Sequence, residues 1–429
     1  MLNYLTVLVL SVFIGTEIFA IKTPFAQLTL YRLLSLGIIP LVFIQLRQAN
    51  SKLKIHRDTV SLFFVSILIF WWCWAMISVC WAINLKAWFQ AMFLLTLGIS
   101  SIIGIYLWVK NIESWKRLIL VSWIMMFILM LWGYFEIFTN HYLLADLSKL
   151  DKYGTFVSQP LTRIPVTHFT NQNDYATMLL AFISLNVIQF QLTNRVISRL
   201  VYLMSILLST YLIYRCESRM ILLCVFVFAF VFICLQFKMD LTRSKHFKYY
   251  TMVGCGLLLI LILFTRVGYK LLSLIYLGGR TLITGDIGRM NMWRNGLIFL
   301  GETFGLGVGA GNIETWMEYY SFLPTNNIYN IHNWWLDILV GYGVFVFVFY
   351  VVAYGLTIWK LYSIRESQNP IQRQITNVII SFMVVYIAAS ITSATNMYIE
   401  WHWVYFGLII SYLGIQELEI KQNKARDIK

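Results

Sequence analysis

The chain has 429 residues, of which 59% are hydrophobic and only 12% are charged, and its formal net charge is +14. Soluble domains carry about twice that charged fraction, so the composition excludes a soluble enzyme, a disordered chain and a secreted disulfide scaffold. It predicts an all-α polytopic membrane protein that forms a single membrane domain over residues 1–429.

Twelve stretches are apolar enough to cross a bilayer as helices, each of which needs about 20 residues. They are residues 2–21, 26–46, 59–82, 88–108, 118–138, 174–192, 198–214, 219–237, 249–265, 334–358, 375–395 and 402–416. The first stretch has no basic leader and no small-residue cleavage site before Lys22. We therefore interpret it as a retained helix and not as a signal peptide.

Basic residues are unevenly distributed between the two sides of this predicted bundle. One side carries 20 of the 33 lysines and arginines, and the other side carries 12. The positive-inside rule makes the richer side cytoplasmic and places both termini there. Topology thus explains the positive charge, and no soluble basic region remains to bind nucleic acid.

Two connections on the predicted outer side are long, residues 139–173 and residues 266–333. Long loops in compact proteins are usually functional or disordered. The second loop is rich in tryptophan, tyrosine and phenylalanine, which argues against disorder. These side chains suit packing, seating at the membrane interface or stacking on sugars, and the sequence does not separate the three roles.

Two local patterns stand out within the second loop. Residues 288–300 have mixed polarity, with Met292, Leu297 and Phe299 arranged for one apolar helical face, which predicts a short helix at the outer interface. Four alternating glycines follow between Gly305 and Gly311. They favour a tight loop that shapes the outer cavity, with ligand binding by its amides as the alternative. No Gly-Lys-Ser/Thr follows, so the loop is not a nucleotide-binding P-loop.

The short hairpin between the seventh and eighth spans holds Arg215, Glu217 and Arg219. This grouping fits either a capping salt bridge or an anion site, since guanidinium groups bind phosphate through paired hydrogen bonds. The second long loop adds a second outer cluster, which consists of Arg266, Lys270, Arg280, Arg289 and Arg294. Together the two clusters favour a polyanionic ligand at the level of the lipid headgroups.

An arginine and a histidine lie near the ends of two predicted spans. Arg32 is inside the second span, where it either pairs with Glu17 or contacts substrate. His332-Asn333 precedes the tenth span, where the histidine is either a general base or an interfacial residue beside an aromatic belt. No metal-ligand spacing accompanies them, so we expect no metal and no other cofactor.

The end of the first long loop is rich in amide and hydroxyl side chains, and it begins at Arg163. Asn171 and Asn173 there suit hydroxyl-rich ligands such as sugars. Asn173 or Asp174 also suits the N-cap of the sixth span, and the two roles are compatible.

Five local motifs occur in order on the predicted outer side, around the twelve spans and the large late loop. They are Phe169 to Asp174 opening a helix, Ser218-Arg219 in a hairpin, Gly288-Arg289 followed by Trp293, the glycines from Gly305 to Gly311, and His332-Asn333 before a span containing Gly341-Tyr342-Gly343. With this set, the chain resembles the O-antigen ligase and Wzy-type polysaccharide polymerase superfamily over most of its length. Cys216-Glu217 departs from that family, which more often has a small residue or threonine before the Ser-Arg pair.

The resemblance implies a glycosyltransferase on the outer face of a bacterial cytoplasmic membrane that needs neither nucleotide sugar nor metal. Its donor would be an oligosaccharide on undecaprenyl diphosphate, and its acceptor a sugar hydroxyl. Arg219 and Arg289 would stabilise the departing diphosphate, and His332 would activate the acceptor. Further candidates for substrate binding are Arg32, Arg163, Asn171, Asn173, Arg215, Arg294 and Asn333.

Within this superfamily we favour polymerisation of repeat units, with a ligase that transfers the glycan to lipid A–core or another acceptor as the alternative. The expected partners are the lipid bilayer and the chain-length regulator and flippase of the same pathway. A flippase or other transporter also fits twelve spans, but such proteins often show repeated halves and charged midplane residues. A peptidoglycan-type glycosyltransferase would need an outer catalytic acid, for which Asp286, Glu302 and Glu314 are candidates.

Overall fold

The computed structural model describes residues 1–15, 18–22, 27–48, 59–151, 154–169, 171–236, 285–325, 327–392, 397 and 399–427. The helices, labelled α1 to α14 in chain order, are Leu2–Ser11, Leu30–Arg47, Val60–Ile77, Leu85–Trp108, Ile112–Thr139, Leu147–Leu150, Gln172–Leu192, Val196–Arg215, Arg219–Gln236, Gly285–Glu302, Ile313–Tyr320, Trp334–Ile364, Pro370–Ala389 and Glu400–Asp427. Short 3-10 turns occupy Ser78–Cys80, Pro160–Thr162 and Arg365–Ser367. Strand β1 (Ile21–Lys22) pairs antiparallel with β2 (Gln27–Leu28).

The all-α polytopic architecture is confirmed. Within the described residues, nine helices have the length and apolar composition of membrane spans, and they correspond to predicted spans two to eight, ten and eleven. The twelfth predicted span lies within α14. The ninth, residues 249–265, lies outside the described residues.

The first predicted span differs from the structure. Helix α1 ends at Ser11, ten residues before the predicted end, and the chain then forms the small hairpin of β1 and β2. A helix can therefore end inside an apolar stretch when the following segment has other hydrogen-bond partners.

Side-chain caps determine where many of the helices begin. A Thr or Asn side chain accepts a main-chain amide at the start of most spans. These caps are Thr29, Thr59, Asn84, Asn111, Asn171, Asn333 and Asn369. The sixth span is capped by Asn171, so the prediction of Asn173 or Asp174 as its cap is wrong.

Helix α12 is not straight, which corrects the prediction of one continuous tenth span. Gly343 has φ 87° and ψ 175°, far from helical values. The rings of Trp334 and Tyr350 lie 6.2 Å apart, and those of Trp335 and Tyr354 lie 5.4 Å apart. A straight helix would separate these pairs by about 24 Å and about 28 Å along its axis. Residues 334–342, the half-helix, therefore fold back along residues 344–364.

The reversal at Gly343 is held by residues 303–312, the glycine loop. The amides of Val308 and Gly309 donate to the carbonyls of Val340 and Gly341, at 2.8 Å and 3.1 Å. The amide of Val344 donates to Gly305 O at 2.9 Å. The loop thus caps the C-terminus of the half-helix and the N-terminus of the segment after it, which satisfies main-chain groups that a broken helix leaves free.

The glycine loop also contacts the turn between α3 and α4. Trp81 Nε1 donates to Gly307 O at 2.9 Å, and the amide of Ala310 donates to Ser78 Oγ at 3.1 Å. Asn312 Oδ1 accepts from the amide of Asn84 at 2.7 Å. These contacts favour the prediction of a shaping loop, because several of its amides are already bonded to protein.

Helix α10 confirms the prediction of a helix over residues 288–300. Met292 and Phe299 are fully buried against Val308, Ile313, Met317, Ile331 and Val340. Leu297 is 52% exposed, so it does not share the apolar face that the sequence predicts. The buried contacts join α10, the glycine loop, α11 and the half-helix into one cluster.

We expect Gly307→Ala to disrupt the contact between the glycine loop and the reversal at Gly343. The added Cβ would lie 2.5 Å from Gly343 N, and the residue has φ +85°, so the variant should lose about 2 kcal/mol of stability and most activity. The measurement is the thermal unfolding midpoint in detergent.

The matched control is Gly301→Ala, because a Cβ there meets no atom within 4 Å. An equal loss of stability in both variants would show that the contact between the glycine loop and Gly343 is not what stabilises this region.

Candidate functional site

His332 and Asn333 lie at the N-terminus of the half-helix. His332 is half-buried and has φ +47°, and its amide donates to Asn330 Oδ1 at 2.9 Å. Asn333 Oδ1 accepts from the amides of Trp335 and Leu336, so Asn333 caps this helix. The fold-back of the half-helix thus determines where His332 lies.

The N-terminus of the half-helix is hydrogen-bonded to the C-terminal end of α13. The amide of Trp334 donates to Ser390 O at 3.2 Å, and Trp335 Nε1 donates to Ile387 O at 2.9 Å. The His332 backbone is therefore level with the last turn of α13.

Arg289 lies at the same end of the cluster. Trp293 Nε1 donates to Ile331 O at 3.0 Å, and Ile331 directly precedes His332. Arg289 is four residues before Trp293, so both project from one face of α10. This places Arg289 about one helical turn from the contact with the His332 segment.

Arg219 reaches this level from a different helix. Helices α9 and α13 run antiparallel, since Cys224 Sγ contacts Val385 O and Asn377 Nδ2 contacts Leu235 O. Five residues beyond the first contact, the register brings Arg219 level with Ser390, whose carbonyl binds Trp334. The register therefore brings the backbones of Arg219 and His332 to one layer of the bundle, and Arg289 is about one helical turn from the contact with the His332 segment.

The positive charges of this layer are not neutralised within the described part of the chain. Arg219, Arg289 and Arg294 form none of the ion pairs found there. Arg219 and Arg294 are exposed, and Arg289 is partly buried. Guanidinium groups without a carboxylate partner suit an anionic ligand.

Arg219 lines an open cleft of about 350 Å³. Leu161 and Thr162 of the first long loop form one wall, and Ser218 lies beside Arg219 in the other. The Ser218 hydroxyl is buried and has no hydrogen-bond partner among the described residues. The cleft, called the Arg219 cleft below, thus combines a cation with polar groups.

Two predicted substrate-binding arginines are bonded to the protein itself. Arg215 donates to the carbonyls of Pro160 and Arg163, at 2.9 Å and 2.7 Å. Arg163 donates to the carbonyls of Phe156, Ile137 and Phe138. Arg215 forms no ion pair with Glu217 in the described residues, so the predicted capping salt bridge is not present there.

Arg32 has a carboxylate partner that the sequence analysis missed. It forms an ion pair with Glu400, and its Nη1 donates to Gln27 O at 2.7 Å. Both charged side chains are 11% exposed. Glu17, the partner considered from sequence, lies outside the described residues. The contacts favour structural pairing over substrate binding.

Asn171 and Asn173 lie at the start of α7, after His168 and Phe169. The Asn171 side chain caps the helix by accepting from the amide of Asn173 at 2.8 Å. The rings of His168 and Phe169 stack with centroids 4.3 Å apart. Burial lowers the pKa of His168 to about 4, and its enclosed Nδ1 has no partner among the described residues.

Carboxylates also lie near His332. Glu314 and Asp337 line a small cavity together with Asn330, and Glu314 Oε1 accepts from Asn330 Nδ2 at 3.2 Å. Glu302 is exposed at the end of α10, and the side chain of Asp286 lies outside the described set. Among the described residues, no group of three His, Cys, Asp or Glu could hold a metal ion.

Comparison with known proteins supports the resemblance drawn from the motifs. Residues 204–351 match the family described as O-antigen ligase. The teichuronic acid biosynthesis protein TuaE of Bacillus subtilis (strain 168) is 29% identical over 426 residues, which cover 95% of this chain and 83% of the relative. The predicted resemblance to the O-antigen ligase and polymerase superfamily is confirmed. These likenesses support a polymerase or ligase role in the synthesis of a cell-surface polysaccharide.

The matched segment does not cover all candidate residues. It includes Arg215, Arg219, Arg289, Arg294, His332 and Asn333, and it excludes Arg32, Arg163, Asn171 and Asn173. The three catalytic candidates thus lie within the family match, while three of the excluded residues, Arg32, Arg163 and Asn171, have structural partners.

We expect Arg32→Met to destabilise the protein by about 3 kcal/mol, because it leaves Glu400 buried without its partner. The double variant Arg32→Met/Glu400→Gln should recover most of the thermal midpoint and the activity. The control is Lys116→Met, which removes an exposed ion pair with Glu113 and should change stability little. A stable but inactive double variant would instead indicate that Arg32 contacts substrate.

The depressed pKa of His168 predicts a loss of stability in acid. The folded protein favours neutral His168, so its contribution is complete above the unfolded pKa of about 6.5 and is lost as the pH falls toward about 4. His168→Phe should flatten the pH dependence of the thermal midpoint over this range. Replacement of the exposed His141 by Asn is the control, and an unchanged pH profile in His168→Phe would refute the assignment.

Proposed function

We propose that this protein polymerises oligosaccharide repeat units carried on undecaprenyl diphosphate, at the outer face of a bacterial cytoplasmic membrane. The proposal is supported by the contacts that bring the backbones of Arg219 and His332 to one layer of the bundle, with Arg289 about one helical turn from the His332 segment. Two arginines without carboxylate partners among the described residues, one of which lines an open cleft, and one histidine suit transfer of a glycan from an anionic leaving group.

The chemistry follows from the charges that develop. The oxygen of an acceptor sugar hydroxyl attacks the anomeric carbon of the donor, and the bond from that carbon to the diphosphate breaks. His332 takes the hydroxyl proton as general base. Arg219 and Arg289 stabilise the negative charge that grows on the departing diphosphate. Direct displacement inverts the anomeric centre, and a retained anomer in the product would contradict this step.

The remaining candidates take supporting roles in this proposal. Arg294 lies one residue beyond Trp293 and adds positive charge near the diphosphate. Asn173 is a contact for glycan hydroxyls. Asn171 and Asn333 act through the helix starts that they cap. The lipid bilayer supplies the donor, and the chain-length regulator and flippase of the same pathway are proposed partners.

A ligase is the second candidate, and the description of the matched family as O-antigen ligase favours it. A ligase would use the same donor and the same leaving group. It would differ only in the acceptor, which would be lipid A–core or another final carrier. The relative TuaE is described as a teichuronic acid biosynthesis protein, which favours an acidic polysaccharide as the product.

The test is a reconstituted assay with lipid-linked repeat units from the host pathway, in the presence of EDTA. Wild-type protein should produce a ladder of glycan lengths on a gel. Arg219→Ala, Arg289→Ala and His332→Ala should each reduce the rate by at least about a hundredfold, because each removes a group that acts in the transition state. Arg195→Ala, on the far end of the bundle, is the control.

Each other outcome points to a specific alternative. Single units left unchanged by wild type, followed by transfer to an added final acceptor, would favour the ligase. Loss of activity in Glu314→Gln with His332 dispensable would favour a catalytic acid of the peptidoglycan-synthase kind. Movement of intact lipid-linked units without bond formation would favour a flippase.

A further inference from the structure

A fully buried glutamate holds the first long loop against the bundle. Glu136 lies in the last turn of α5, and its Oε2 accepts from the amides of Val166 and Thr167, both at 2.9 Å. Successive amides that point at one anion form a main-chain nest. The anion here is supplied by the protein itself.

The loop conformation at this point depends on the carboxylate. Thr167 has φ +56°, a left-handed conformation that is unusual and strained for a β-branched residue. Thr167 is also completely buried, so water cannot replace the carboxylate at its amide. The two bonds to Glu136 therefore offset the backbone strain.

A second anchor lies a few residues earlier in the loop. Arg163 Nη1 donates to the carbonyls of Ile137 and Phe138 in the last turn of α5, at 2.9 Å and 3.0 Å. These carbonyls carry the negative end of the helix dipole and lack partners within the helix. Glu136 at the end of α5 accepts from the loop, and Arg163 in the loop donates to the end of α5. The two side chains thus clamp the same loop to one helix end.

The clamped segment, residues 156–167, forms a wall of the Arg219 cleft. Leu161 and Thr162 face the cleft, and Arg215 ties their turn to the end of α8 through Pro160 O. If the clamp opens, the wall opposite Arg219 is no longer held in place. The width of the cleft therefore depends on Glu136 and Arg163.

We infer that Glu136 is a positioning residue for the lipid-diphosphate site, through the loop wall that its carboxylate holds opposite Arg219. This inference rests on the proposed function, since it assigns the diphosphate to the Arg219 cleft. Arg163 is the second member of the same clamp, and it acts on the ligand through the wall.

The experiment measures binding of undecaprenyl diphosphate to the full-length protein in lipid nanodiscs. Glu136→Gln should weaken binding about tenfold, because glutamine keeps the volume of the side chain but is a weaker acceptor for the two main-chain N–H groups. Arg163→Met should weaken binding to a similar extent, and it serves if Glu136→Gln does not fold.

The chain offers a closely matched control. Glu417 is also a buried glutamate that accepts from two successive amides, those of Val60 and Ser61, at the opposite end of the bundle. Glu417→Gln should lower the thermal midpoint much as Glu136→Gln does, yet leave the dissociation constant within about twofold. If both variants bind undecaprenyl diphosphate equally weakly, Glu136 has only a general structural role.

A rescue variant tests the mechanism itself. Thr167→Gly removes the backbone strain, so Glu136→Gln/Thr167→Gly should bind more tightly than Glu136→Gln alone. If wild type binds and Arg219→Ala does not, while Glu136→Gln binds normally, the positioning inference is wrong and the proposed function stands. No binding by wild type would contradict the proposed function itself.

Discussion

The hydrogen bonds between the glycine loop and the reversal at Gly343 are the constraint on which the rest of the site depends. A broken helix leaves free carbonyls at one end and free amides at the next, and both must be satisfied away from water. Backbone from the glycine loop satisfies them directly, which requires an approach that a Cβ would prevent: one added at Gly343 would lie 2.4 Å from Leu306 O. Because the break is held, the half-helix folds back and carries His332 to the level of Ser390.

The candidate arginines divide into two groups by the partners that they have. Arg32, Arg163 and Arg215 are bonded to a carboxylate or to main-chain carbonyls, which compensates the cost of removing a guanidinium group from water. Arg219 and Arg289 have no ion pair within the described ranges. The first group holds the fold together through these bonds, and the second leaves its charge available for an anion.

Sequence patterns are informative about individual helices and much less so about their partners. The apolar stretches predict nine of the spans that the described residues contain, because length and hydropathy are local properties. The first span was predicted too long, since nothing local shows that β1 and β2 would form instead. Glu136 was overlooked, although a carboxylate at the end of an apolar span is itself a signal of a functional or paired group.

The sequence by itself determined the membrane class and most of the membrane helices, because hydropathy acts over a short stretch of chain, and its short motifs name the three catalytic candidates. Only the tertiary structure decided that Arg32 pairs with Glu400, more than 360 residues away, and that residues 334–342 reverse at Gly343. It also decided that the backbones of Arg219 and His332 lie at the same level of the bundle. Such relations depend on the register of antiparallel helices and on contacts between distant backbones, and no local pattern encodes either.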